Sequence, residues 1–412
     1  MPQWIMPPWK LLWLAFVLAL RGLMMSLRWT GPATLSLTAL LVGAVAHAER
    51  DIVYAARYYA PPGSHRTSHF HLYRINPDGT GRTQLTFGST DDDGPAWSPD
   101  GRWIAFERQS AAGTTEMCII GAGGGPVAAL TGAGVSPTEG EYTYHWSPDS
   151  RSLAVGSPDD DKKGPSVSLF DPRTRQVTRR FSGVRDLLWS PDNDRVYLAG
   201  LGGSKIVALK TGMETGLGAA FYHPIWLDIA TLAGFTSDDR AEQHALVFIG
   251  TDGQEKKRVM LKMPPAYREV VSDGGLALLV GHSPSASLLY ALNNHNSTVG
   301  VDYLFFSLDA VTGAAEYLNE GQFLAWSPDG REFCIAPGRD TTLYDRRRYA
   351  FAVRKGATAR ERAEDEHRLV WSAPLYIRAA SGGPMRALTP RLSWVTGADW
   401  RKPPKAALKR SL

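Results

Sequence analysis

From residue 49 onward, apolar residues fall into short runs that alternate with polar ones, as at 103–106, 116–120, 127–131, 195–199, 245–249 and 375–377. Alternation with a period of two over such lengths marks half-buried strands, and the Gly, Pro, Asp and Ser clusters between the runs supply the turns. A repeat organises these runs. Trp97-Ser98-Pro99-Asp100-Gly101 recurs as Trp146-Ser147-Pro148-Asp149-Ser150, Trp189-Ser190-Pro191-Asp192-Asn193 and Trp326-Ser327-Pro328-Asp329-Gly330. Degenerate versions at Trp226-Leu227-Asp228, Ser272-Asp273-Gly274 and Ala398-Asp399-Trp400 bring the anchors to seven, spaced by 49, 43, 37, 46, 54 and 74 residues. A four-stranded propeller blade takes about 40 to 50 residues. Each unit reads as a strand ending at Trp, a type I turn with Pro at its second position, and three further strands.

The expected fold is therefore all-β: a single closed β-propeller of four-stranded blades over residues 49–404, with seven blades, or six if the fourth and fifth units are misread. Strands at 52–56, 72–75 and 84–86 lack a preceding Trp strand, and 395–400 is a Trp strand without followers. Pairing the C-terminal strand with the N-terminal ones would close the ring and remove its open edge. The long last spacing needs an insertion, visible as the charged stretch 345–368, and residues 405–412 form a tail.

Composition agrees with turns around an aromatic core: 41 Gly and 27 Pro among 412 residues, with 13 Trp and 15 Tyr. The formal charge of +4 includes Lys10, Arg21 and Arg28 in a segment 1–48 without Asp or Glu, so the remainder carries +4 − 3 = +1 and a nucleic-acid partner is not expected. That segment holds two apolar runs, each short for a membrane span. Arg28 before the second run and Ala46-His47-Ala48 after it give the pattern of a secretory signal, with cleavage expected after Ala48 and a periplasmic location. Met24 or Met25 would start a signal of ordinary length, and an uncleaved membrane anchor is the alternative. Cys118 and Cys334 fall in different units and are expected to be buried and unpaired.

The repeat residues resemble the WD40-like unit of TolB-type propellers, in which a dipeptide such as Leu85-Thr86 leads through Pro95 to the Trp97-Ser-Pro-Asp-Gly element and Ile104-Ala105-Phe106. Leu130-Thr131 and Leu388-Thr389 repeat the first element. The resemblance implies a propeller that binds other molecules of the cell envelope, without a counterpart of the separate N-terminal domain of TolB. The motif residues Trp97, Trp146, Trp189, Trp226, Trp326 and Trp400 are expected to be scaffold.

In such propellers the residues before each inner strand surround one mouth of the central channel. Here they are Asp91, Asp92, Asp93, Glu139, Glu141, Arg185, Asp186, His223, Tyr267, Arg268, Gln322 and Thr396, a mixed-charge rim suited to a protein, a peptide or a glycan. Solvated loop polarity is the plain alternative. Metal binding is not expected. Asp91-Asp92-Asp93 lacks the spacing of a cation loop, and His69-x-His71 has no identifiable third ligand. No catalytic residues and no cofactor are assigned. Gly281-His282-Ser283-Pro284-Ser285 lacks the final Gly of a nucleophile elbow. A metal-dependent lyase of the oligogalacturonate type is the enzymatic alternative, on fold analogy alone, and a structural envelope component is the third reading.

Overall fold

In a computed structural model, the described residues are 51–58, 69–110, 112–131, 143–157, 164–200, 202–217, 222–238, 243–265, 277–282, 287–293, 303–336, 373–390 and 393–402. All belong to a unit spanning Glu49–Leu412. The predicted leader and the insertion 345–368 lie outside them. No helix among the described residues is long and apolar enough to cross a membrane.

The strands form seven four-stranded antiparallel sheets. One contains β1 (Ile52–Tyr58), β2 (His71–Ile75) and β3 (Thr83–Gln84); the next is β4 (Asp91–Trp97), β5 (Trp103–Gln109), β6 (Thr115–Gly121) and β7 (Ala128–Ala129). Then follow β8 (Tyr144–Trp146), β9 (Leu153–Ser157), β10 (Ser166–Phe170) and β11 (Val177–Ser182), and β12 (Val184–Trp189), β13 (Arg195–Gly200), β14 (Gly203–Ala208) and β15 (Glu214–Leu217). The fifth and sixth sheets are β16 (Tyr222–Trp226), β17 (Thr231–Asp238), β18 (Gln243–Gly250) and β19 (Glu255–Met260), and β20 (Ala277–His282), β21 (Ser287–Asn293), β22 (Tyr303–Asp309) and β23 (Ala315–Glu320). The last is β24 (Gln322–Trp326), β25 (Glu332–Ala336), β26 (Tyr376–Ala379) and β27 (Arg386–Ala387). The final strand, β28 (Ser393–Trp400), leaves that order and pairs with β1, Ile52 opposite Trp400 and Tyr58 opposite Ser393.

Packing follows the same sequence around a propeller. One apolar cluster sits at each border between successive sheets, for example Val53, Leu72, Trp97, Ile104 and Phe106 between the β1 and β4 sheets. Further round, Ala233, Phe235, Leu246 and Phe248 meet Phe306 and Leu308, and Phe305 meets Phe333 and Ile335. Ile52, Tyr54 and Val395 then meet Cys334, Leu375 and Ile377. Both cysteines are free and buried, and burial pushes the Cys118 thiol up to about 12.

Local chemistry explains why the repeat folds this way. In every full copy the Ser hydroxyl donates to the Asp carboxylate two residues on: Ser98 to Asp100 and Ser147 to Asp149 at 2.7 Å, Ser190 to Asp192 at 2.5 Å, and Ser327 to Asp329 at 2.7 Å. The amide three residues after the Ser closes the turn on its carbonyl, and that residue has a left-handed backbone, whether Gly101, Ser150, Asn193 or Gly330. In the Leu-Thr element the hydroxyls of Thr86, Thr131 and Thr389 accept from the amides of Leu72, Met117 and Leu375, in each case 14 residues earlier.

The strand order corrects one expected anchor. Ser272-Asp273-Gly274 lies outside the described residues, and β20, the first strand of its sheet, ends at His282. The residues that follow, Ser283-Pro284-Ser285, stand where the other units have Ser-Pro-Asp. His282 thus stands at the end of its strand where the other first strands end in Trp, and Ser283-Pro284-Ser285 lies outside the described residues.

Candidate functional site

Inner strands β4, β8, β12, β16, β20, β24 and β28 each begin at the end of the ring opposite the Ser-Pro-Asp turns. On six of them the pairing with the second strand slips before the last residues. The residues left over are Gly94 and Pro95, Arg185, His223 and Pro224, Val280, Leu324, and Thr396. A bulge releases its extra residue from the ladder. Three predicted rim positions, Arg185, His223 and Thr396, are such residues. Gly94-Pro95 and Pro224 were the sequence signals for the bulges, because Pro interrupts a strand ladder.

The three consecutive aspartates separate as alternation requires. The Asp91 Oδ1 atom accepts from the Phe70 amide at 2.7 Å and from Arg57 at 3.4 Å, and lies 3.5 Å from His69 Nδ1. Asp93 accepts from the Thr396 hydroxyl at 2.7 Å and from the Gly94 amide at 2.6 Å, joining the inner strands of two sheets. Asp92 is fully buried and does not belong to the rim: it takes both Nε and Nη2 of Arg108, at 2.7 and 3.0 Å, beneath His71. Burial raises its carboxyl, but His71, Arg108 and Thr86 outweigh burial and hold it below the usual carboxylate range.

Two constellations at this mouth combine residues far apart in sequence. In the first, Arg57 stacks 4.4 Å above the Phe70 ring and 6.0 Å from that of Trp394, while the two rings meet edge to face at 5.3 Å. In the second, His145 Nε2 lies 3.1 Å from Asp186 Oδ1, which also accepts from the Leu187 amide at 2.8 Å. Exposed Arg185 flanks that pair, its carbonyl accepting from the Thr143 hydroxyl at 3.1 Å. Sequence reasoning missed Arg57, Phe70, Trp394 and His145. The available signal for His145 was the position before the repeat Trp, which is otherwise Ala96, Leu188, Ile225 or Ala325 and is polar again only at Asp399.

Of the remaining rim residues, His223 is on β16 and Gln322 begins β24. Glu139, Glu141, Tyr267 and Arg268 lie outside the described residues. No group of three or more His, Cys, Asp or Glu side chains placed to hold a metal occurs among the described residues.

No family model matches the chain. One curated relative, the uncharacterized protein Atu1656 of Agrobacterium fabrum, is 32% identical over 137 residues, which is 30% of this chain and 45% of the relative, so the match spans less than half of that protein. Among solved structures, the β-propeller domain of the Trilobed protease from Pyrococcus furiosus aligns with a TM-score of 0.50 at 14% identity, covering 83% of this chain and 92% of that one. TolB from Acinetobacter baumannii aligns at 0.45 with 17% identity, covering 86% and 67%. The dihydro-heme d1 dehydrogenase NirN aligns at 0.46 with 14% identity, covering 84% and 74%. At these identities the likeness is one of fold.

Proposed function

We propose that this propeller is an exported, non-enzymatic binding scaffold that holds a protein or peptide of the periplasm or cell envelope at its channel mouth. The observation that carries this reading is the set of bulged inner strands, which brings Arg185, Asp186, Thr396 and their neighbours from different sheets to one end of a rigid ring. Rigid presentation favours binding because little order remains to be imposed when the ligand arrives. The aromatic and Arg composition of the Arg57, Phe70 and Trp394 corner matches the side chains that dominate binding energy at protein interfaces. The leader pattern at 1–48 supports export. Propellers also occur in enzymes, as the names of two of the aligned structures state.

The test is photo-crosslinking in intact cells with benzoylphenylalanine at position 185, and with the same probe at Ile229, which is exposed at the opposite end of the ring. A discrete protein adduct from position 185 alone is the expected outcome. Equal adducts from both positions would defeat the reading, and release of unsaturated uronate ends from a polyuronate by the purified protein would favour the lyase alternative.

A further inference from the structure

The turn before the outermost strand of each sheet passes through a left-handed backbone conformation. In six sheets glycine adopts it, at Gly79, Gly124, Gly212, Gly253, Gly313 and Gly382; before β11 it is Arg175, at φ +63°. The Arg175 amide closes its turn on the Asp171 carbonyl at 2.7 Å, as Gly212 does on Ala208 at 2.8 Å and Gly313 on Asp309 at 2.9 Å. The same turn is thus built with an arginine where an L side chain is disfavoured and Gly is free of strain. Its guanidinium makes no hydrogen bond or ion pair with any described residue. Folding therefore gains nothing that explains the choice.

The strand that follows departs from the fold in the same way. Side chains on a strand point alternately to its two faces, so packing on one face buries every second residue. Here every residue from Arg173 through the turn to Arg180 is exposed, and Phe181 is the part of β11 that reaches an apolar border. Arg179 lies 4.6 Å from the Phe181 ring on one face, and Arg180 Nε donates to the Ser168 hydroxyl at 3.1 Å on the other. Among the described residues, the carboxylate that meets these arginines is Asp171, 3.3 Å from Arg173. Four arginines and one aspartate between residues 171 and 180 leave +3, whereas the whole of residues 49–412 carries +1. Outer strand β19 shows the contrast: Lys256 pairs with Asp252, Arg258 with Glu255 at 2.7 Å, and Lys257 donates to the Ala310 carbonyl at 3.0 Å.

We propose that this arginine hairpin, at the outer edge of its sheet, docks the propeller on an anionic lipid headgroup surface. A guanidinium binds a phosphate through two parallel N–H bonds, and basic clusters are drawn to anionic membranes. Spacing favours a surface over a single ion, since Arg179 lies roughly 13 Å along the extended chain from Arg175. A peptide strand added along β11 would meet Arg179 and Arg180 but leave Arg173 and Arg175, which precede the strand, unmatched. Val177, 44% exposed, sits between the two pairs of cations and suits the apolar side of a headgroup layer. This surface lies away from the channel mouth and acts independently of the ligand site proposed there.

The test is cosedimentation of the purified Glu49–Leu412 unit, which contains all seven sheets, with vesicles of phosphatidylcholine alone or mixed equally with phosphatidylglycerol. Binding to the mixed vesicles is expected to be about tenfold stronger or more and to weaken as salt is added. Each arginine removed should weaken it about fivefold, so the pair Arg179→Gln and Arg180→Gln loses about 25-fold. The same charge change on β19, Lys256→Gln with Arg258→Gln, should leave binding unaltered. Arg175→Gly is the decisive variant, because it relieves the left-handed strain: it should bind about fivefold more weakly with no fall in melting temperature. Equal binding to both vesicles, equal losses from the β11 and β19 pairs, or wild-type binding by Arg175→Gly would each overturn the proposal. Capture of a polyglutamate peptide without vesicle binding would overturn it too, and would assign the hairpin to an acidic protein segment.

Discussion

At Gly101 the turn needs a backbone φ of +66°, and a β-carbon there would run into the Arg401 guanidinium. Two other copies of the turn carry Ser150 and Asn193 at a similar φ, and there each side chain does a second task. The Ser150 hydroxyl accepts from the Asp100 amide at 2.8 Å, and the Asn193 side chain from the Asp149 amide at 3.2 Å. Gly101→Ala combines left-handed strain with displacement of Arg401, and is expected to lower unfolding stability by about 1 to 3 kcal/mol in a urea titration. The single letters of the motif were legible in sequence, since Pro and Gly announce the turn chemically. Asp92 was not, because alternation places it opposite Asp91 and Asp93 but only the fold supplies Arg108 and His71 to cover it.

On the scale of the element, the Leu-Thr pair sets the register of the outer strands. Thr389 is buried, and its hydroxyl accepts from the Leu375 amide at 2.8 Å while lying 2.9 Å from the Ser393 hydroxyl. Thr389→Val keeps the shape and removes the acceptor, leaving a buried amide without its partner. A loss of about 1 to 3 kcal/mol is expected by thermal unfolding. The existence of strands was readable wherever apolar and polar residues alternate, and the closing strand 395–400 was identified because it carries a Trp and lacks followers. The bulges were harder to see. A one-residue slip at Arg185 or Thr396 leaves no compositional mark, whereas Gly94-Pro95 and Pro224 do. For the same reason the unit anchored at His282 was misplaced: without its Trp, the Ser-Pro-Ser that follows is no stronger a signal than Ser272-Asp273-Gly274.

The whole ring responds to pH through carboxylates at the β28 borders. Asp51, 3.3 Å from Arg74 and 3.9 Å from Arg401, and Asp399, with Lys402 as its nearest cationic influence, are both held above the usual carboxylate range because burial outweighs those cations. Such groups bind protons more tightly when native, so stability falls as pH rises from the unfolded value of about 3.9 through the raised native values. Asp92 acts in the opposite sense: its contribution is complete above about 3.9 and fades as pH falls through its lowered native value. The melting temperature should therefore rise as pH falls through the raised native values of Asp51 and Asp399 toward about 3.9, and drop again at strongly acidic pH. In Asp51→Asn the rising limb should shrink, and an unchanged profile would show that this carboxyl does not govern it. The sequence by itself determined the all-β class, the four-strand unit and the strand that joins the chain's ends, because hydrophobic period and turn chemistry act over neighbouring residues. Tertiary structure alone decided which polar groups meet at the mouth. Those contacts join residues of different strands and sheets, 41 positions apart for His145 and Asp186 and 303 for Asp93 and Thr396, and only the curvature of the packed sheets brings them within bonding distance.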